Sequence, residues 1–184
     1  MKTALSTVLL AACLASLTGC ESGIEAQAGV ISQQLDPAHN RAWTLTLEGV
    51  VVRGRPGSPS NRVALPDWIW ADPSYACPPG LAIGPRGEAV ITSNVTPTVW
   101  RVHPETLTVT VHHVRLPDGE QREVGFSAIA YVPELNAYVA ASDVQGSVWR
   151  IERDLTRATQ LAQREGGRPA SCGRLFSRAS FPGE

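Results

Sequence analysis

Short runs in which every second residue is apolar dominate the chain, and the 3.6-residue period of an amphipathic helix is not sustained over any long stretch. In Trp43-Thr44-Leu45-Thr46-Leu47, residues Trp43, Leu45 and Leu47 share one face and the two threonines the other, the alternation of a half-buried strand. Further strand-like runs are expected at 80–83, 89–93, 98–102, 106–116, 126–132, 138–142 and 147–151. A Gly/Pro/Ser loop from Gly54 to Asn61 separates the first run from the rest. Residues 21–40 are polar, carry Gly23, Gly29, Gln33, Gln34 and Pro37 without a sustained period, and read as a tether.

Two segments superpose on each other. Gly80-Leu81-Ala82-Ile83-Gly84-Pro85 matches Ala128-Ile129-Ala130-Tyr131-Val132-Pro133 at an offset of 48 residues. Thr92-Ser93-Asn94 then matches Ala141-Ser142-Asp143, and Trp100-Arg101-Val102 matches Trp149-Arg150-Ile151, both at an offset of 49. Each copy reads as strand, proline turn, strand, Ser-Asn or Ser-Asp end, tryptophan strand and a final Thr/Leu strand. About four strands per period is the arithmetic of a propeller blade. Alternation within the third strand turns Trp100 and Val102, like Trp149 and Ile151, toward the space between neighbouring blades, and Arg101 and Arg150 the opposite way.

Over about residues 78–160 this pattern resembles the blades of the NHL and gluconolactonase-like (SMP-30-type) propeller group. The resemblance implies an all-β fold of propeller-like four-stranded repeats over residues 41–184. Those residues supply about three blades, whereas a closed ring needs at least four. Completion by association with another copy, an open stack or sandwich, and a truncated reading frame all remain open. The last is suggested by the Gly, Arg, Ser, Ala and Pro of residues 164–184. In the lactonase-like members a divalent metal takes Glu, Asn and Asp ligands from separate blades. Asn94 and Asp143 end strands of that kind here, while Gly84-Pro85 stands where the group carries its characteristic Asp.

The amino terminus follows a different logic. Lys2 precedes an uncharged run from Ala4 to Leu17, and Thr18-Gly19 follow, which is a signal-peptide profile over residues 1–19. Leu17-Thr18-Gly19-Cys20 resembles the lipobox of bacterial lipoproteins at all four positions. It implies cleavage before Cys20, acylation of that residue, and a chain facing the periplasm from a membrane. Glu21 in place of Asp favours the outer over the inner membrane.

Composition narrows the field further. The chain has 184 residues, 43% of them hydrophobic and 18% charged, as in a folded domain. Its formal charge of −1 becomes −2 when Lys2 leaves with the signal, so no basic field exists to hold nucleic acid. Cys13 leaves too and Cys20 is lipidated. Cys77 and Cys172 remain, an even pair that reads as a disulfide in an exported chain. His112 and His113 adjoin on a strand and leave on opposite faces, which argues against joint metal binding.

Among candidate ligand-facing residues, Trp68, Trp70 and Tyr75 form an aromatic cluster suited to stacking, with cover for a blade edge as the alternative. Asn94 and Asp143 are candidates for a common opening, with backbone-bonded turns as the alternative. Nucleophile-elbow, phosphate-loop, dinucleotide and zinc-protease motifs are absent, and neither catalysis nor a cofactor is inferred. The expected protein is an envelope-anchored binder of a protein or small ligand. Its rivals are a gluconolactonase-like hydrolase or its remnant, and a structural or assembly partner that includes self-association.

Overall fold

The computed structural model describes residues 29–53, 59–72, 77–117 and 124–163. The expected signal peptide, Cys20, Tyr75 and Cys172 lie outside them, as do residues 164–184. Among the described residues, no helix is long and apolar enough to cross a membrane.

Among the described residues, twelve strands form three antiparallel sheets of four, each in simple meander order. Blade 1 holds β1 (Val30–Asp36), β2 (Arg41–Thr46), β3 (Gly49–Arg53) and β4 (Ser60–Val63). Blade 2 holds β5 (Leu81–Ile83), β6 (Ala89–Thr92), β7 (Thr98–Val102) and β8 (Val109–His113). Blade 3 holds β9 (Ala128–Val132), β10 (Ala137–Ser142), β11 (Ser147–Glu152) and β12 (Ala158–Gln163). The leading strands β1, β5 and β9 are neighbours, so the sheets fan outward from a common inner edge as propeller blades do. Among the described residues the architecture is therefore all-β and propeller-like, an arc of three blades.

Two apolar seams hold the arc together. Trp43, Leu45, Val50 and Val52 of blade 1 pack against Leu81, Ile91, Trp100 and Val102 of blade 2. Ala82, Val90 and Val99 of blade 2 pack against Tyr138, Trp149, Ile151 and Ala158 of blade 3, with Phe126 edge-on to Trp149 at 6.3 Å. Each seam buries several large side chains completely, and at roughly 1.5–3 kcal/mol per such residue they are the main source of cohesion between sheets. As the alternation requires, Trp100 with Val102 and Trp149 with Ile151 face the preceding blade, and Arg101 turns into the seam ahead.

One expectation is corrected. The tether does not extend to residue 40, because Val30–Asp36 pairs along its length with β2. Gln33 and Gln34 gave this segment a polar look, yet Gln33 Nε2 donates to Thr44 Oγ1 at 3.0 Å across the ladder. Likewise β4 begins at Ser60, inside the expected loop.

Blade 1 escaped the repeat for a physical reason. Thr44, Ile91 and Ala140 stand at matching places on the second strand, and their partners on the third are Val51, Trp100 and Trp149. The first blade carries Val51 in the tryptophan slot, half-buried on the flank turned away from blade 2. Its own tryptophan, Trp43, comes from β2 and faces forward into the first seam.

Candidate functional site

The arc has two chemically different ends. At one, the hairpins between first and second strands meet; at the other lie the turns between second and third strands and the links between blades.

All three hairpins turn on a proline, Pro37, Pro85 and Pro133, spaced 48 residues apart. In blades 1 and 3 the proline opens a single 3-10 turn closed by an Asn in the left-handed region, Asn40 at φ 49° and Asn136 at φ 45°. This spacing marks the first blade in the sequence and places Asp36 and His39 at the hairpin end.

Asp36 is the centre of an array there. Its carboxylate is 4% exposed and accepts His39 N at 3.3 Å and His39 Nδ1 at 2.8 Å, with Arg41 Nε at 3.7 Å. Because a carboxylate only accepts, Nδ1 is assigned the proton, and the half-exposed ring is left with Nε2 as its second functional nitrogen. Arg41 reaches across to blade 2, donating to the Pro104 carbonyl at 2.5 Å and to Glu105 Oε1 at 3.0 Å. Its guanidinium also lies 5.9 Å from the centroid of Trp43.

Gly87 makes this approach of hairpins feasible. It sits at φ +80°, and a Cβ there would lie 2.7 Å from His39 Nδ1 and 3.0 Å from Asp36 Oδ2. Beside it the buried Glu88 accepts from Arg86 N at 2.8 Å. A Cβ on Gly84 would lie 2.7 Å from Glu88 Oε1 and 2.6 Å from Tyr138 Oη, so acid and phenol close over that glycine. Burial first, and then the Glu88 charge, hold the Tyr138 hydroxyl well above its ordinary pKa. The end thus offers an anchored histidine, exposed Arg86 and Glu105, and flanking aliphatics Leu35 and Leu135. It is suited to gripping a polar or charged group.

Trp68, Trp70, Asn94 and Asp143, singled out in the sequence, lie at the opposite end, where most of them serve the fold. Trp68 packs edge-on against Trp100 at 5.0 Å and donates its Nε1 to the Leu47 carbonyl at 3.2 Å, so it covers a blade edge. Trp70 is half-buried in the same segment. Asn94 is not an open ligand position. Its Nδ2 donates to the carbonyls of Ala71 at 2.9 Å and Cys77 at 3.0 Å, and its Oδ1 accepts from Ala71 N at 2.8 Å. Both amide hydrogens are spent on the link into blade 2.

Asp143 occupies the matching turn of blade 3 and accepts from Ser127 Oγ at the start of β9. Burial raises its carboxyl above the ordinary value, and the Ser127 hydrogen bond partly offsets that. Asn94 and Asp143 therefore perform one task twice, each tying the entry of its own blade. Sequence reasoning recognised their equivalence but not the groups they hold, which lie 16 to 23 residues away.

Cys77 is buried, and its expected partner Cys172 falls outside the described residues. His112 points into the second seam and His113 outward, as the alternation required. Among the described residues, no group of three or more His, Cys, Asp or Glu is arranged to hold a metal ion.

These sheets and their common inner edge define a β-propeller-type protein. Solved structures agree on the fold. The chain is similar to a streptogramin B lyase, with a TM-score of 0.51, 13% identity, and coverage of 76% of this chain and 41% of that one. A catalytically inactive virginiamycin B lyase from Staphylococcus aureus with quinupristin gives 0.50 and 16%, covering 72% and 40%. Hydrazine synthase of Kuenenia stuttgartiensis gives 0.53 and 11%, covering 72% and 35%. This chain thus spans well under half of each neighbour's length. No protein-family model matches the sequence, and no curated protein matches it.

Proposed function

We propose that this chain is a lipid-anchored envelope protein whose propeller-type arc binds a protein or small polar ligand at its hairpin end, without chemistry of its own. The lipobox resemblance at Leu17–Cys20 supports the anchor and a periplasmic setting, with Glu21 favouring the outer membrane. A Cys77–Cys172 disulfide belongs to the same proposal, since that compartment oxidises thiols.

The observation that carries the binding reading is the Asp36–His39–Arg41–Glu105 array. Two hairpins and a third turn converge on one buried carboxylate and leave the His39 ring and the Arg86 side chain accessible. Arg41 keeps the array rigid by linking two blades, so the exposed groups are held in place before any ligand arrives. The hydrolase alternative rests on Asn94 and Asp143, whose side chains are engaged within their own blades.

A photo-crosslinking residue at Leu35 in intact cells tests this reading. A discrete adduct that His39→Ala and Arg86→Ala abolish, with protein level unchanged, is the expected result. An adduct of twice the chain mass would identify a second copy as the partner, one route to closing the ring. No adduct, or one indifferent to both substitutions, overturns the proposal. Mass spectrometry of the mature protein tests the anchor independently, and an unacylated Cys20 refutes it.

A further inference from the structure

We propose that the loop end of the arc rests on the phospholipid surface to which Cys20 is anchored, inserting a rim of aliphatic side chains among the headgroups. This rests on the lipid-anchor reading. Eight residues separate Cys20 from Gly29, where the described chain begins, and a link of nine Cα–Cα steps spans at most about 30 Å. β1 runs from Val30 toward the hairpin at Asp36, so the tethered end is the loop end.

That end is also where apolar surface gathers. Among the described residues, Val30 (41% exposed), Leu47 (44%), Ile69 (49%) and Val144 (62%) account for four of the seven exposed large hydrophobic residues. They come from the start of β1, the β2–β3 turn, the link from blade 1 to blade 2, and the β10–β11 turn. Half-buried Trp70 adjoins Ile69, and an indole at this depth suits the membrane–water boundary.

A continuous belt of hydrogen bonds fixes the rim. Leu47 N donates to the Gly29 carbonyl at 3.0 Å, Trp68 Nε1 to the Leu47 carbonyl at 3.2 Å, and Ser93 Oγ to the Ile69 carbonyl at 2.9 Å. Phe126 N donates to the Ser93 carbonyl at 2.7 Å, and Ser127 Oγ to Asp143. The aliphatic groups are presented without an ordering cost on contact. Charge selects the kind of surface. Among the described residues, Glu48 pairs with Arg62 at 3.2 Å and exposed Asp67 adds negative charge at this end. Zwitterionic headgroups therefore suit it better than anionic ones, and the contact is expected to be insensitive to salt.

The test uses native tryptophans in the full-length lipidated protein, reconstituted in phosphatidylethanolamine–phosphatidylcholine vesicles whose acyl chains carry bromine. Trp43, Trp100 and Trp149 are fully buried, so contact quenching is confined to Trp68 and Trp70, two of the five tryptophans. The expected result is partial quenching that Trp70→Phe reduces and that Ile69→Asp with Val144→Asp abolishes. Both variants should still float with the vesicles and keep an unchanged near-ultraviolet dichroism. Unchanged emission from vesicle-bound, acylated protein overturns the inference while leaving the anchor reading intact. Protein that neither floats nor carries acyl groups on Cys20 overturns both.

Discussion

Gly125 is the position where one added carbon should do most damage. A Cβ there would lie 2.0 Å from the Asn94 carbonyl carbon and 2.2 Å from both Asn94 O and Val95 N. All three are backbone atoms of a turn already fixed by Asn94 and Ser93, so no flexible side chain can yield. Ordinary contact near 3.4 Å would require the two segments to part by more than 1 Å. That parting breaks the 2.7 Å bond from Phe126 N to Ser93 O and the 2.5 Å bond from Thr92 Oγ1 to Phe126 O, both buried. Each buried group left unpaired costs about 1–3 kcal/mol, and displacing Phe126 from Trp149 adds to it.

Gly125→Ala should therefore destabilise the protein by about 3–5 kcal/mol. With a urea slope near 2 kcal/mol/M this lowers the unfolding midpoint by roughly 2 M, followed by far-ultraviolet dichroism. Val144→Ala, at an exposed site, should shift it by less than about 0.3 M. A Gly125→Ala protein within about 1 kcal/mol of the parent would refute the idea that this close approach locks blade 2 to blade 3.

Three further outcomes are expected. Burial raises the Asp143 carboxyl above 3.8, so its ionisation opposes folding at neutral pH; Asp143→Asn should stabilise at pH 7, with the advantage vanishing as pH falls toward 3.8. His112 is lowered from 6.5 by burial and then by Arg101, with Asp154 opposing. Its contribution is present above that value and lost as pH falls. The urea midpoint should drop on acidification, and His112→Gln should flatten that slope. The Tyr138 hydroxyl is buried with no hydrogen-bond partner among the described residues, so Tyr138→Phe should raise stability by up to about 1 kcal/mol, whereas a loss of that size would show that the hydroxyl is satisfied.

Much of blades 2 and 3 was readable from the chain because three signals coincide: strand alternation, the paired Trp-Arg strands, and the Ser-Asn and Ser-Asp ends. In blade 1 these signals conflict. Val51 occupies the tryptophan slot, and polar Gln33 and Gln34 fill an inner strand whose ladder hydrogen bonds, not its composition, define it. The hairpin array was out of reach for another reason. Asp36, Arg41 and Glu105 are ordinary charged residues until Arg41 bridges 64 positions to Glu105. Such pairing depends on tertiary proximity, and only the 48-residue proline spacing hinted at it.

The tryptophan slot also gives the arc a direction. Trp100 and Trp149 each reach back onto the sheet before them, so a blade carries with it the piece that fastens it to its predecessor. On the first sheet the same slot holds the smaller Val51. Stacking of this kind extends from front to back: a duplicated repeat brings its own fastening when joined after an existing one, and leaves a gap when joined before the first.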